Sequence, residues 1–361
     1  MESRAVGLGQ RIALAIKCCV PACAALATVA ACCVAGAADS YPTAALLAES
    51  QRAQETLLAH YAQIDARSHL GSSLQERLDG DAAGAQLVNK PDWMSAADYA
   101  DHNVVLFKLN ASLISQLASG AYHPIGAVRG ADDTVFRSPV DGTMQPLAVY
   151  VPASYDPAKP TPLVVFLHGR TWSENDVIAT PTVRQIAEET GTIVVAPYAR
   201  GDNQYADPAP QVVYGALAVA EKAFNVDRRR VYLAGHSMGG YGVFIVAPRQ
   251  PQVWAAVLAA SGGMVTETLT AALKSLQHIP VYLVVGSNDE IVPQGYMAQN
   301  ATLLRQSGVE THYYEQAGGR HSIVTISQSF KQAWKDMLGH VAAHPPDEVL
   351  PPLAPTMTRP I

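Results

Sequence analysis

No cysteine follows Cys33. The five in the chain, Cys18, Cys19, Cys23, Cys32 and Cys33, crowd into the first 33 of 361 residues, so a disulfide framework is excluded for everything beyond them. Charge is also sparse: 16% of residues are charged and the net is −6. With no cluster of Lys and Arg interleaved with aromatics, that balance excludes nucleic acid as a partner. The eleven histidines show no metal-ligand spacing, and no glycine-rich nucleotide loop occurs, so neither a metal nor a cofactor is expected. Long apolar runs are absent apart from one, Cys18 to Ala38.

That run follows Arg4, Arg11 and Lys17 and ends in Ala35-Gly-Ala37 ahead of Asp39. A positive start, an apolar middle and a small-x-small site describe a secretory signal peptide over 1–37. Cleavage after Ala37 removes Glu2, Arg4, Arg11 and Lys17, a net +2, and leaves about −8 with no cysteine. The expected location is therefore periplasmic or extracellular, with no membrane span after cleavage. Two alternatives stand beside it. The 21 residues from Cys18 to Ala38 are long enough to remain as an anchor, and Val29-Ala-Ala-Cys32 resembles a lipoprotein box.

Residues 38–125 read as a helical N-terminal arm. Leu57, Leu58, Tyr61 and Ile64 repeat at helical spacing, as do Leu106, Leu109, Leu113 and Leu117, while Gly80, Gly84 and Pro91 interrupt the pattern. Packing of the arm on a main domain is expected, with a lid over an active site as the sharper alternative. From 126 to 341 the pattern changes. Phe136 and Leu147–Val151 read as antiparallel edge strands. Leu163–Leu167, Thr192–Ala196, Arg230–Ala234, Ala255–Ala260 and Val281–Val285 are apolar strands with no polar face. Helical stretches at 183–189, 212–224, 296–306 and 327–338 alternate with them. That alternation predicts an α/β fold, a mostly parallel sheet with helices on both faces. The tail, 342–361, carries six prolines in twenty residues and is expected to be disordered.

The chemistry centres on Gly235-His-Ser237-Met-Gly239-Gly240, placed between an apolar strand and a helix read at 242–247. Gly-x-Ser-x-Gly in that context describes a nucleophile elbow, with Ser237 lifted clear of the backbone on a strained turn. A serine hydroxyl needs a base, and the base needs an orienting group. Both follow in order. Asp289 comes in Gly286-Ser-Asn-Asp289-Glu-Ile-Val-Pro293, just past a strand, with Glu290 as the fallback acid. His321 comes in Gly318-Gly-Arg-His321 after the short strand 312–315. Alone, Asp289 could be a turn-former and His321 a solvated loop residue; neither alternative explains their shared order and context. Donors for an oxyanion are expected from Met238 N–H and from Arg170 N–H, with Thr171, in His168-Gly-Arg170 after the strand 163–167. His168 itself reads as a structural hydrogen-bonder. Thr171, Trp172 and Tyr241 are candidate substrate contacts, and Tyr198 is a further pocket candidate with core packing as the equal alternative. Arg200-Gly-Asp202 reads as a loop turn. Asn110-Ala-Ser112 and Asn300-Ala-Thr302 fit glycosylation sequons.

Phe166-Leu-His168-Gly169, the serine elbow, Gly286-x-x-Asp289-x-x-Val292-Pro293 and Gly319-Arg-His321 together resemble the α/β-hydrolase superfamily over about 140–340. Pro152-Ala-Ser-Tyr-Asp156 and Asn225-Val-Asp227-Arg-Arg-Arg-Val231-Tyr are similar to secreted esterases of the polyhydroxybutyrate depolymerase and feruloyl esterase type, and to the catalytic domain of prolyl oligopeptidase-like peptidases. His236 and Met238 are commoner in general esterases and lipases than in the depolymerases, and the arm at 38–125 lies outside the resemblance. The resemblance implies Ser237 as nucleophile, Asp289 as acid and His321 as base. The expectation is an exported serine hydrolase acting on small-molecule or polymeric carboxylic esters. A prolyl oligopeptidase-like serine peptidase is the first alternative, though roughly 90 residues are too few for a substrate-filtering propeller. A non-catalytic binding protein on a hydrolase scaffold is the second.

Overall fold

Eight strands form one sheet in the order β1-β2-β4-β3-β5-β6-β7-β8. They are β1 (Gly130–Arg137), β2 (Met144–Val151), β3 (Thr161–Leu167), β4 (Ile193–Pro197), β5 (Val226–His236), β6 (Ala256–Ala260), β7 (Val281–Gly286) and β8 (Thr311–Gln316). The computed structural model describes residues 52, 55, 74, 76–78, 91–126, 129–264 and 269–343, all within one unit, Thr43–Ile361. The expected signal segment, most of the arm and nearly all of the tail lie outside the described residues. No described helix is long and apolar enough to cross a membrane.

Only β1–β2 and β2–β4 pair antiparallel; the other pairs run parallel. Parallel strands need crossovers, and helices supply them. Among the described residues the main α-helices are α1 (Ala96–Ser119), α2 (Glu174–Ala179), α3 (Pro181–Thr190), α4 (Ala209–Ala223), α5 (Met238–Val246), α6 (Leu269–Leu276), α7 (Gln294–Gln306) and α8 (Ser327–Gly339). Alternate residues of each strand serve opposite faces. Leu163, Val165 and Leu167 meet Val212, Val243, Met297 and Leu304 on one side. Val164 and Phe166 meet Ile178, Ile186, Phe330 and Trp334 on the other. Both faces are dry, so the strands read as unbroken apolar runs rather than alternating ones.

Register puts Leu167, Gly235, Ala259, Leu283 and Tyr313 in one row across β3, β5, β6, β7 and β8. The loops that follow this row therefore leave from the same edge of the sheet. That edge carries every candidate catalytic side chain.

Helix α5 begins at Met238, directly after the serine, and not at Gly242 as the glycine-rich spacing predicts. Glycine weakens an isolated helix by about 1 kcal/mol per residue, but α5 is packed on β5 and β6 and tertiary burial overrides that preference. Helix α1 buries Leu109, Leu113 and Leu117 as expected, with Phe107 rather than Leu106 turned inward. Its start is capped by Ser95, whose Oγ accepts from Asp98 N–H at 3.0 Å.

Both sequon asparagines are engaged inside the fold. Asn110 Oδ1 accepts from Arg77 and Asn175 at 2.9 Å each. The Asn300 side chain bonds Met264 N–H and Tyr296 carbonyl at 2.8 and 2.9 Å.

Candidate active site

Ser237 holds φ 55° and ψ −118°, a left-handed conformation that costs an L-residue on the order of 1–3 kcal/mol. The packing around it leaves no choice. A Cβ at Gly235 would lie 2.2 Å from Gly239 O, and one at Gly239 would lie 2.0 Å from Leu167 O. The tight strand-to-helix turn therefore needs glycine two residues before and two after the serine, which is the spacing the sequence carries.

The acid and base loops are tied together before they meet the serine. Asn288 N–H donates to Gly319 O at 2.8 Å, Ser287 N–H to Gln316 O at 2.9 Å, and Gly318 N–H to Ser287 Oγ at 2.8 Å. This lacing brings Asp289 beside His321. Nδ1 of His321 lies 2.9 and 3.0 Å from the two Asp289 carboxylate oxygens, and its Nε2 lies 2.9 Å from Ser237 Oγ. An ionised carboxylate only accepts, so the imidazole proton sits on Nδ1 and Nε2 is free to accept from the serine hydroxyl.

The Asp289 side chain is fully buried. Burial alone would raise its pKa; the hydrogen bond from His321 and that from Val292 N–H outweigh it and hold the carboxyl below its ordinary value. Asp289 Oδ1 also accepts from Ile291 N–H at 3.0 Å and Val292 N–H at 2.8 Å. The carboxylate that braces its own turn through Ile291 and Val292 N–H is also the one that faces His321 Nδ1. Glu290, the fallback acid, turns away and pairs with Arg320 at 2.6 Å.

Met238 N–H opens α5 beside the serine, where the helix dipole favours negative charge. Arg170 follows the end of β3 and lines the same cleft. Thr171 N–H, read with Arg170 as an oxyanion donor, is already used: it donates to both Asp202 oxygens at 2.9 Å. The Arg200-Gly-Asp202 turn is thus a structural brace, with Arg200 paired to Asp141 at 2.6 Å. His168 is fully buried and bonds Gly169 O and Tyr198 O at 2.8 and 2.9 Å, in keeping with its structural reading.

Thr171, Trp172 and Tyr241 line a cleft of about 800 Å³ over Ser237, with Met238, Ile245 and Val292. Tyr198 does not; it packs on His168 with ring centroids 5.5 Å apart. Two residues that the sequence did not single out as site candidates lie at the site. Trp93, ahead of the domain, forms part of the cleft wall. His236, between Gly235 and Ser237, donates Nε2–H to the His321 carbonyl at 2.6 Å. Burial, and then the neighbouring His321, push its pKa down to about 4, so it stays neutral. Its place next to Ser237 was the one signal for it.

The Esterase family model matches residues 140–340. A bifunctional acetylxylan esterase/xylanase of Neocallimastix patriciarum is 28% identical over 157 residues, 42% of this chain and 22% of that protein. The chain thus spans less than a quarter of the length of that relative. Fluorophosphonate-binding serine hydrolase F of Staphylococcus aureus, solved with substrate bound, superposes at TM-score 0.52 and 18% identity over 58% of this chain and 98% of its own. The feruloyl esterase module from Clostridium thermocellum, complexed with sinapinate, does so at 0.51 and 17% over 62% and 92%. At such identities the two structures share a fold with this chain.

Proposed function

This chain belongs to the Esterase family and has the α/β-hydrolase fold, and from that premise we propose that it is an exported serine hydrolase that cleaves carboxylic esters through an acyl-enzyme on Ser237. The observation that carries the reading is the unbroken relay Ser237–His321–Asp289, each link at 2.9 Å. Ser237 Oγ attacks the ester carbonyl while its proton passes to His321 Nε2. The new oxyanion is met by Met238 N–H and Arg170 N–H. His321 then gives the proton to the leaving alkoxide, which departs as the alcohol. Water repeats the sequence on the acyl-enzyme: His321 takes its proton, the acid leaves, and the proton returns to Ser237. Asp289 stays ionised throughout and stabilises the imidazolium.

Each part has a characteristic size. One oxyanion donor is worth roughly 10²–10³ in kcat, and the orienting carboxylate about 10⁴. Export is supported by the residue pattern at 1–37. The substrate is a small-molecule or polymeric ester, and the acetylxylan esterase relative adds polysaccharide acetyl esters to those worth screening.

The test is a screen of p-nitrophenyl esters of rising chain length against peptide p-nitroanilides, with wild type and Ser237→Ala. Ester turnover that falls at least about 10⁴-fold in the variant is expected. Anilide cleavage at comparable efficiency, or ester turnover that survives the substitution, overturns the reading.

A further inference from the structure

The catalytic cleft is not built from the family domain alone. Trp93 lies well ahead of the matched region 140–340, in the short turn that leads into α1, and yet it lines the cleft with Trp172, Ile291 and Arg320. The latter three come from loops after β3, β7 and β8. Trp93 is half-buried, and Ile291 is 67% exposed. Apolar side chains left open along the mouth of a cleft mark a place where a ligand supplies the missing contacts.

The turn that carries Trp93 is fixed in place. Met94 N–H closes it onto Pro91 O at 3.2 Å, and Ser95 caps the helix that follows. Helix α1 is then anchored by Leu109 against the sheet and by Leu113, Ile114 and Leu117 against Val135. Asp101 pairs with Arg184 of α3 at 2.6 Å. Farther back, Arg77 pairs with Glu174 of α2 at 2.6 Å, both side chains buried. On the cleft side, Asp92 lies within electrostatic reach of Arg320, whose guanidinium also pairs with Glu290. A backbone turn braced by its own hydrogen bond and by the capped helix that follows lowers the ordering cost of a contact made from it.

We propose that Trp93 is a specificity-determining residue: it forms, with Trp172 and Ile291, the wall against which a bulky apolar group of the ester packs. The segment ahead of the hydrolase domain then sets part of the substrate preference. This inference rests on the ester hydrolase reading above. It assigns the N-terminal arm a contact role in the cleft, with no closing motion.

The experiment compares kcat/KM across two series: p-nitrophenyl acetate against p-nitrophenyl hydrocinnamate and octanoate, and methyl acetate against 2-naphthyl acetate. In Trp93→Ala the bulky-to-small ratio falls on the order of tenfold in at least one series, chiefly through KM, as expected for loss of one apolar pocket contact. Trp93→Phe and Trp93→Leu give intermediate ratios, in that order, and carry the test if the alanine variant does not fold. Ratios within twofold of wild type in both series for the folded variants overturn the assignment. A wild type without ester turnover, or with turnover that Ser237→Ala retains, defeats the hydrolase reading instead.

Discussion

The Nε2–H of His236 donates to the backbone carbonyl of His321 at 2.6 Å, with the two imidazole centroids 5.0 Å apart. One histidine thus holds the chain that carries the other. His236 is 4% exposed, and its Nδ1 has no hydrogen-bond partner among the described residues. The bond needs only the neutral ring, which burial enforces.

His236 is accordingly expected to act as a positioning residue. Replacing it with Phe keeps the ring volume and removes the donor. The expected result is a fall in kcat on the order of tenfold, larger than any change in KM, because the Phe ring keeps the place that His236 holds in the cleft wall. The pH dependence of stability gives an independent readout. A folded-state pKa of about 4, against 6.5 ordinarily, means that the unfolded chain binds a proton here before the folded one does. The stabilising contribution is complete above about pH 6.5 and is lost progressively as pH falls from there toward 4. Its ceiling is about 3 kcal/mol at 1.36 kcal/mol per unit. Thermal unfolding followed between pH 7 and 4 should show a shallower acid slope in His236→Phe than in wild type.

The two neighbouring carboxylates should behave differently. Asp289→Asn keeps the shape but not the charge: with its oxygen held by Ile291 and Val292 N–H, its amide nitrogen faces His321 Nδ1 as a donor and favours the wrong tautomer, and kcat should fall about 10⁴-fold. Glu290→Gln breaks an exposed pair with Arg320 that solvent already screens. Its turnover of p-nitrophenyl acetate should stay far above that of Asp289→Asn. Steady-state kinetics on the two variants checks both.

Gly239→Ala is expected to fail structurally. Its Cβ would come within 2.0 Å of Leu167 O, a backbone atom that β3 holds in the sheet. Either the elbow or the strand must shift, at a cost of several kcal/mol. Soluble yield and thermal unfolding should both drop, and activity should be lost with them.

Trp334 tests the opposite face of the sheet. It is fully buried and stacks on Phe166 with ring centroids 6.4 Å apart, in a cluster on the face of the sheet away from α5. Trp334→Ala should lower stability by about 3–5 kcal/mol through the cavity it leaves. At a temperature where the variant remains folded, ester turnover should be close to wild type. Denaturant titration together with kinetics separates the two effects.

Much of this arrangement was legible in the chain because it rests on local patterns. Apolar strands without a polar face signal a sheet covered on both sides, and Ser237, Asp289 and His321 each follow a strand in order. The start of α5 was not legible, because Gly239, Gly240 and Gly242 argue against a helix and only packing supplies one. Helix α2 escaped notice for a related reason: nearly all of its six residues are buried, so it has no amphipathic stripe, although Ser173 and Asp176 form a capping box at its start. The competition of Asp202 for Thr171 N–H, the bond from His236 to His321 and the reach of Trp93 into the cleft are contacts between distant segments. No spacing along the chain encodes them.

The central claim is that one hydroxyl is made nucleophilic by one imidazole. Incubation with a fluorophosphonate, followed by digestion and mass spectrometry, reads it directly. The account predicts a single phosphonylated peptide, modified at Ser237, and no adduct in His321→Ala over the same interval. An adduct on another serine, or equal labelling in the His321 variant, contradicts it.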